Sequence, residues 1–299
     1  MPILPKLLNI LVGAVVLWTA TACSAAPQPG APAAQPSVNI QNKGSDTIVN
    51  LALAWAERYQ NLHADVRLSV SGGGSGTGIT ALISGTVDIA NASRAMTKDE
   101  IAAAQKNGIE PKEYVIARDA IAVIVNPHNP VKELTLQQIS AIYRGDINNW
   151  TEVGGENRPI VRLSRETNSG THVYFLESVI RLGNAKDKVS LFSMDTLLLP
   201  SSEGIISEVR DNPNAIGYDG LGYVIPEVKV LGIAKKAGQP YVLPSADTVN
   251  SGTYPISRDL YMYTNAKTSQ AVVDYLAWVL SPEAQTIVTQ LGFVPNVKK

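Results

Sequence analysis

The chain has little of the residues that several large classes of function require. It contains one cysteine and three histidines in 299 residues, so no intrachain disulfide can form and no cluster has metal-site spacing. The histidines, His63, His128 and His172, stand in no recognised nucleophile motif, which argues against an enzyme. The 25 basic and 26 acidic residues leave a net charge of −1. No broad basic surface therefore supports nucleic-acid binding, and any anion site must be local.

The first residues have a composition of their own. An apolar run over residues 7–18 is too short for a membrane span and predicts a signal peptide. The segment that follows resembles a bacterial lipobox, which would make Cys23 a lipidated residue that anchors the chain to a membrane. Ordinary cleavage nearby, with Cys23 discarded, is the alternative. We assign 1–23 to the signal peptide and lipobox, and the Ala/Pro-rich residues 24–37 to a flexible tether.

Four short strand patterns each lead into a loop rich in hydroxyl groups or glycine. The strands are predicted at 38–40, 66–70, 86–90 and 160–163. In an open α/β sheet, ligands bind at the carboxyl ends of the strands. Each loop alone has an ordinary interpretation, such as a helix N-cap, a surface turn or a surface arginine. The glycine-rich loop at 71–78 also lacks the lysine of a Walker A motif.

The most informative loop is 164–171, which contains Arg165, Ser169, Gly170 and Thr171 and leads into a helix predicted from His172. Free backbone N–H groups at a helix N-terminus attract anions, and arginine adds a permanent forked donor. The loop therefore predicts an oxyanion site.

Two longer strands are expected to cross between two lobes. They are predicted at 114–125 and 256–263, and the Arg258 and Asp259 of the second echo Arg118 and Asp119 of the first. Asp219 is predicted to lie in a turn after a strand at 215–218.

The loop motifs together resemble the phosphate-binding protein of bacterial high-affinity phosphate ABC transporters. The resemblance covers residues 38–296, and the 165–171 spacing is its most specific part. It implies an α/β, two-lobed periplasmic-binding-protein fold of type II, with two crossover strands and the ligand in the interlobe cleft. Lobe 1 would comprise 38–118 and 257–299, and lobe 2 would comprise 119–256.

The resemblance also implies the function and its residues. The protein would bind inorganic phosphate outside the cytoplasm, as a monomer without cofactor or metal, and deliver it to ABC permease subunits. The phosphate-binding residues would be Ser45, Thr47, Ile48, Ser75, Arg94, Arg165, Ser169, Gly170 and Thr171. Well-known members have an aspartate where this chain has Arg94, so Asp46 or Glu166 would have to accept the phosphate proton. A receptor for sulfate, molybdate or tungstate, and a phosphate sensor uncoupled from transport, are the alternatives.

Overall fold

A computed structural model describes residues 37–296. The predicted signal peptide, Cys23 and nearly all of the predicted tether lie outside the described residues, as do residues 297–299. Within 37–296, no helix is long and apolar enough to cross a membrane.

Strands and helices alternate along most of the described chain, as the sequence predicts. The helices are α1 (Asp46–Leu62), α2 (Ser75–Ile83), α3 (Lys98–Lys106), α4 (Leu136–Arg144), α5 (Gly170–Phe175), α6 (Ser202–Asp211), α7 (Ala246–Asn250), α8 (Gln270–Val279) and α9 (Pro282–Gln290). The strands are β1 (Val38–Gly44), β2 (Val66–Ser71), β3 (Ile89–Ala92), β4 (Pro111–Val125), β5 (Glu133–Thr135), β6 (Val161–Arg165), β7 (Leu197–Leu199), β8 (Ala215–Gly220), β9 (Lys229–Val230), β10 (Gly232–Ala234), β11 (Ser257–Asn265) and β12 (Val294–Pro295).

One curled sheet organises the described chain, with the strand order β2-β1-β3-β11-β4-β8-β6-β7. Strand β1 is parallel to β2 and β3, while β6 is parallel to β7 and β8. The carboxyl ends of β1, β2 and β3 therefore lie along one edge, where their loops meet. Helices cover the faces of the sheet, and buried apolar side chains from strands and helices form its core.

Strand β4 runs from one group of strands to the other. Its first part pairs with β11, and its second part, from Ile121 to Val125, pairs with β8. The second part is wholly buried, as its continuous apolar sequence predicts. This course, together with the antiparallel pairing of β4 and β11, gives the two-lobed architecture with crossing strands that the sequence predicts.

Local sequence explains the junctions near the sheet edge. Gly44 has φ +147°, and a Cβ there would lie 2.1 Å from the carbonyl oxygen of Asn91, so only glycine allows β1 to turn into α1. Helix α5 begins at Gly170, not at His172, because Ser169 caps it by accepting a hydrogen bond from the Thr171 amide.

The prediction that Asp219 lies in a turn is wrong: Asp219 is fully buried within β8. Its carboxylate accepts hydrogen bonds from the hydroxyl of Ser202 and the amide of Gly220, which stabilise it inside the protein.

Candidate functional site

Four buried hydroxyl groups gather where the strand-end loops meet. Thr47 in α1 and Thr171 in α5 approach to 2.8 Å between their Oγ1 atoms. Ser75, the first residue of α2, and Ser93, which follows β3, have their Oγ atoms 3.2 Å apart, and Ser75 Oγ accepts the amide of Ser93. Each of the four residues is at most 1% exposed. Loops that are far apart in sequence thus contribute to one polar cluster, which we call the hydroxyl cluster.

The loop of residues 164–171 packs directly against the glycine-rich loop. The amide of Gly76 donates to the carbonyl of Asn168 at 3.0 Å, and the Asn168 side chain donates to the carbonyl of Gly73 at 3.1 Å. A Cβ on Gly170 would lie 2.4 Å from Ser75 Oγ, so the backbone of Gly170 comes as close to the hydroxyl cluster as sterics allow. Because these contacts join loops from separate groups of strands, the two sides of the site are in contact.

Arg165 is buried beside the cluster, and its donors are bound by protein groups. Its Nη2 donates to Asp46 Oδ2 at 2.7 Å and to the carbonyl of Pro200 at 2.8 Å. Its Nη1 donates to the Ser202 hydroxyl at 2.8 Å, and its Nε donates to the carbonyl of Leu199 at 3.3 Å. The arginine that the sequence singles out therefore ties the loops around the site together.

Arg94 likewise has a protein partner. Its two terminal nitrogens donate to the two carboxylate oxygens of Glu100 at 2.8 and 2.7 Å. Burial acts to raise the pKa of Glu100, but hydrogen bonds from Arg94 and Thr97 outweigh it and lower the pKa. Arg94 directly follows Ser93 of the hydroxyl cluster, so it lies at the edge of the site with its charge compensated.

The other predicted site groups lie on the same loops. The Ile48 amide donates to the Ser45 carbonyl at 3.2 Å, and Ser45 is buried. Asp46 uses its second carboxylate oxygen to accept the Gly73 amide at 2.8 Å. Glu166 is exposed, so of the two proposed proton acceptors only Asp46 is partly enclosed.

Arg258 in β11 belongs to the site, although the sequence interpretation did not assign it a role. Its Nη2 donates to Thr171 Oγ1 at 2.9 Å and lies 3.4 Å from Thr47 Oγ1, so it contacts both threonines of the hydroxyl cluster. Asp119 in β4 accepts from its Nη2 at 3.0 Å. The two residues face each other in the β4–β11 ladder, as do Arg118 and Asp259. The sequence feature that pointed to Arg258 is a charged pair that occurs in both long apolar strands, because buried charged residues usually have a function.

Two buried carboxylates complete the polar network. Burial raises the pKa of Asp119 to about 6, although the charge and hydrogen bonds of Arg258 oppose the shift. Burial also raises the pKa of Asp219, against the nearby charge of Arg165, whose Nη1 lies 3.6 Å from Asp219 Oδ2. The cationic character of the site is thus greatest below the pKa of Asp119, because protonation removes negative charge.

This fold and this placement of the site at the strand ends are those of the periplasmic-binding-protein superfamily. The family model described as the PBP superfamily domain matches residues 28–283. A structure described as that of a phosphate ABC transporter substrate-binding protein with bound phosphate, from Clostridium perfringens, is similar with a TM-score of 0.78 at 32% identity. The alignment covers 87% of this chain and 100% of the Clostridium perfringens chain.

Other similar proteins have related names. Phosphate-binding protein PstS of Pseudomonas aeruginosa is 34% identical over 87% of this chain and 83% of its own length. An ABC-type phosphate transport receptor of Vibrio cholerae aligns with a TM-score of 0.68 at 29% identity, over 85% of this chain and 99% of that one. Within the superfamily, the chain belongs to the family of phosphate-binding proteins of bacterial ABC transporters.

Proposed function

We propose that the protein binds inorganic phosphate outside the cytoplasm and delivers it to an ABC importer. The observation that carries the proposal is the hydroxyl cluster, which places four neutral donors beside a buried arginine at the meeting point of the strand-end loops. Hydroxyl and amide donors suit a small oxyanion, whose oxygens accept several hydrogen bonds at once. Similar proteins are named for phosphate binding, which supports phosphate as the anion.

The proposed site keeps the residues named from the sequence. Thr47, Ser75 and Thr171 would donate hydroxyls, with Ser45, Ile48, Ser169 and Gly170 completing the backbone and hydroxyl groups around them. Each hydrogen bond to a charged partner contributes about 1.5–3 kcal/mol, so six donors contribute about 9–18 kcal/mol. Ordering the ligand and the loops costs at least about 4 kcal/mol, which leaves enough for micromolar affinity at about −8 kcal/mol.

In this proposal Arg165 and Arg94 are also phosphate-binding residues, and Arg165 supplies the main electrostatic attraction for the anion. Arg165 holds Asp46, which directly precedes Thr47, and so connects the loop of 164–171 to the start of α1. Arg94 would approach the anion from the edge of the cluster, with its charge compensated by Glu100. Asp46 or Glu166 would accept the phosphate proton, and exchange of both acids for amides should alter the preference for phosphate over sulfate.

The lobe boundaries and the anchor belong to the same proposal. Residues 38–118 with 257–299 would form one lobe and 119–256 the other, and phosphate would hold them closed as a signal to permease subunits. Cys23 would carry a lipid that retains the monomer at the membrane. Incorporation of labelled fatty acid into the wild-type protein, and its loss in Cys23→Ala, would support the anchor.

Calorimetry with a panel of oxyanions tests the function. We expect phosphate to bind at micromolar or lower concentration and to be preferred over sulfate, molybdate and tungstate. A cluster made of donors also suits these tetrahedral anions, so tighter binding of one of them would assign the protein to that anion. No binding of phosphate at millimolar concentration would refute the proposal. Loss of phosphate uptake on deletion of the gene, restored by the wild-type gene, would separate a transport role from a sensor.

A further inference from the structure

We propose that residues 182–198 form a surface that binds an anionic lipid membrane, with exposed aliphatic side chains entering the bilayer interface and two lysines facing the lipid headgroups. We call these residues the 182–198 segment. The proposal goes beyond the proposed function, because it does not depend on phosphate binding.

The 182–198 segment exposes an unusual number of large apolar side chains. Of the twelve that are exposed among residues 37–296, six lie within this one segment. Val189 and Leu191 are 87% and 58% exposed, and Met194 is fully exposed. Single exposed apolar residues are ordinary on a protein surface, but a concentration of them marks a binding surface. The six are Leu182, Val189, Leu191, Met194, Leu197 and Leu198.

Internal contacts fix the segment in this conformation. The Phe192 ring packs inward and stacks on His172, with the ring centroids 4.4 Å apart. The Ser193 amide donates to the carbonyl of Tyr143 at 2.8 Å. The one aromatic ring of the segment therefore serves as an anchor, while the aliphatic side chain of Leu191 beside it remains at the surface.

The charges of the segment favour an anionic partner. The carboxylate of Asp187 accepts two backbone amides of the segment at 3.0 and 2.9 Å, and Asp195 forms an ion pair with buried Arg162 at 2.8 Å. Both carboxylates are thus bound by groups of the protein. Lys186 and Lys188 are exposed, and none of the ion pairs among residues 37–296 includes them. The charge that the segment offers to a partner is therefore positive.

A lipid surface fits these side chains better than a protein does. Protein–protein interfaces are depleted of lysine and enriched in aromatic residues and arginine. The exposed apolar groups of the segment are all aliphatic, and its aromatic ring faces inward. Aliphatic side chains beside lysines suit a membrane interface, where the negative surface potential of anionic lipids attracts lysine.

The proposed anchor would make a weak membrane affinity sufficient. A lipid on Cys23 would keep the domain near the bilayer, because the 14 residues 24–37 span at most about 50 Å when fully extended. A short tether raises the effective concentration of a second contact. The 182–198 segment would then set the orientation in which the protein lies on the membrane, which a lipid alone leaves free.

Co-sedimentation with vesicles of equal parts phosphatidylcholine and phosphatidylglycerol tests the proposal. Residues 36–299 form a compact unit of their own, so they can be produced without the N-terminal segment and its lipid. We expect this wild-type protein to sediment with the vesicles. Binding should be weaker at high salt and weaker to vesicles of phosphatidylcholine alone, because both changes reduce the attraction of the lysines.

Two variants separate the apolar from the charged contribution. Val189→Ser/Leu191→Ser/Met194→Ser should bind the anionic vesicles about 100-fold more weakly or less, because three apolar side chains can no longer enter the bilayer. Lys186→Gln/Lys188→Gln should bind them about tenfold more weakly, and should bind vesicles of phosphatidylcholine alone as the wild type does.

The matched control is Leu53→Ser/Leu62→Ser. These leucines are 47% and 45% exposed in α1, outside the segment, and we expect vesicle binding within twofold of wild type. Circular dichroism shows whether each variant folds. Calorimetry with inorganic phosphate should give wild-type affinity within twofold for the variants of the 182–198 segment, because none of the exchanged residues belongs to the hydroxyl cluster.

Three results would overturn the proposal: wild-type protein that does not sediment with the anionic vesicles, unchanged sedimentation of the folded triple variant, and an equal loss in the control. A wild-type dimer in light scattering that the triple variant loses, without vesicle binding, would instead assign the surface to a second copy of this chain. Wild-type protein that does not bind phosphate would refute the proposed function alone, so the two proposals are tested separately.

Discussion

Replacing Gly170 by alanine tests whether the site is assembled as closely as the structure shows. A Cβ there would lie 2.4 Å from Ser75 Oγ and 2.5 Å from Ser93 Oγ, where real Cβ contacts are longer than 3.0 Å. Its backbone φ lies outside the left-handed region, so alanine brings no backbone strain and the effect is purely steric. Two hydroxyls of the cluster must therefore move by about half an ångström or rotate away.

The expected loss follows from the cost of overpacking. Inserting a methyl group into a close-packed site costs about 1–3 kcal/mol, which corresponds to a fall in phosphate affinity of about 5- to 150-fold. Calorimetry measures the affinity, and denaturant unfolding without phosphate measures the effect on the fold. We expect the substitution to weaken phosphate binding more than it lowers the stability of the fold, because the added methyl group meets the hydroxyls proposed to bind the anion.

A double-mutant cycle isolates the cause. In a Ser75→Ala/Ser93→Ala background the added methyl group meets no hydroxyl, so Gly170→Ala should cost less there than in the wild-type background. Gly204→Ala is the control, since its nearest contact would be 3.3 Å to Ser201 Oγ, which is 0.9 Å longer than the nearest contact at Gly170. Wild-type phosphate affinity in Gly170→Ala, or equal costs in both backgrounds, would contradict the geometry of the site.

Three further predictions concern charged groups. Asp46→Asn removes the carboxylate from buried Arg165 and should lower the free energy of unfolding by about 2 kcal/mol. Asp211→Asn breaks an exposed pair and should have a much smaller effect, so equal losses in urea unfolding would contradict the buried pair. Burial lowers the pKa of His172, so the unfolded chain binds this proton more readily than the folded protein, and stability is full above pH about 6.5 and declines below it. Thermal unfolding of wild type and His172→Gln from pH 7.5 to 5 should therefore show the stability difference shifting in favour of the variant as pH falls, and a constant difference would refute this. Arg94→Gln should reduce phosphate affinity less than tenfold, because Glu100 already holds the guanidinium; a larger loss in calorimetry would show direct contact with the anion.

Much of the fold could be predicted because its signals are local. The second part of β4 is a continuous apolar run, which indicates a strand that is buried on both faces. Helices α1 and α4 show apolar residues at helical spacing, which indicates helices that are buried on one face. The loops after β1, β2 and β6 were recognisable because hydroxyl residues and glycines directly follow strand patterns. Element ends were less predictable, as the early start of α5 shows, because caps depend on single side-chain contacts.

The buried charges were the part that local patterns missed. Asp219 followed a strand and preceded glycine, which is typical of a turn, yet Ser202 and the Gly220 amide stabilise it inside β8. In the sequence, the one feature that marked Arg258 was that Arg258 and Asp259 repeat the charged pair of β4. The buried partners of Arg258 and Arg165 lie up to 211 residues away in sequence, and no local pattern contains that information.

By itself, the sequence determined the alternation of strands and helices, the polar loops at the strand ends and the resemblance to phosphate-binding proteins. Periodicity and glycine placement act within a few residues, so they can be recognised without a structure. Only the tertiary structure decided that Thr47, Ser75, Ser93 and Thr171 form one cluster and that Arg258 joins it. The curled sheet brings the ends of separate strands to one edge, and the in-register pairing of β4 with β11 places a buried arginine beside the hydroxyls.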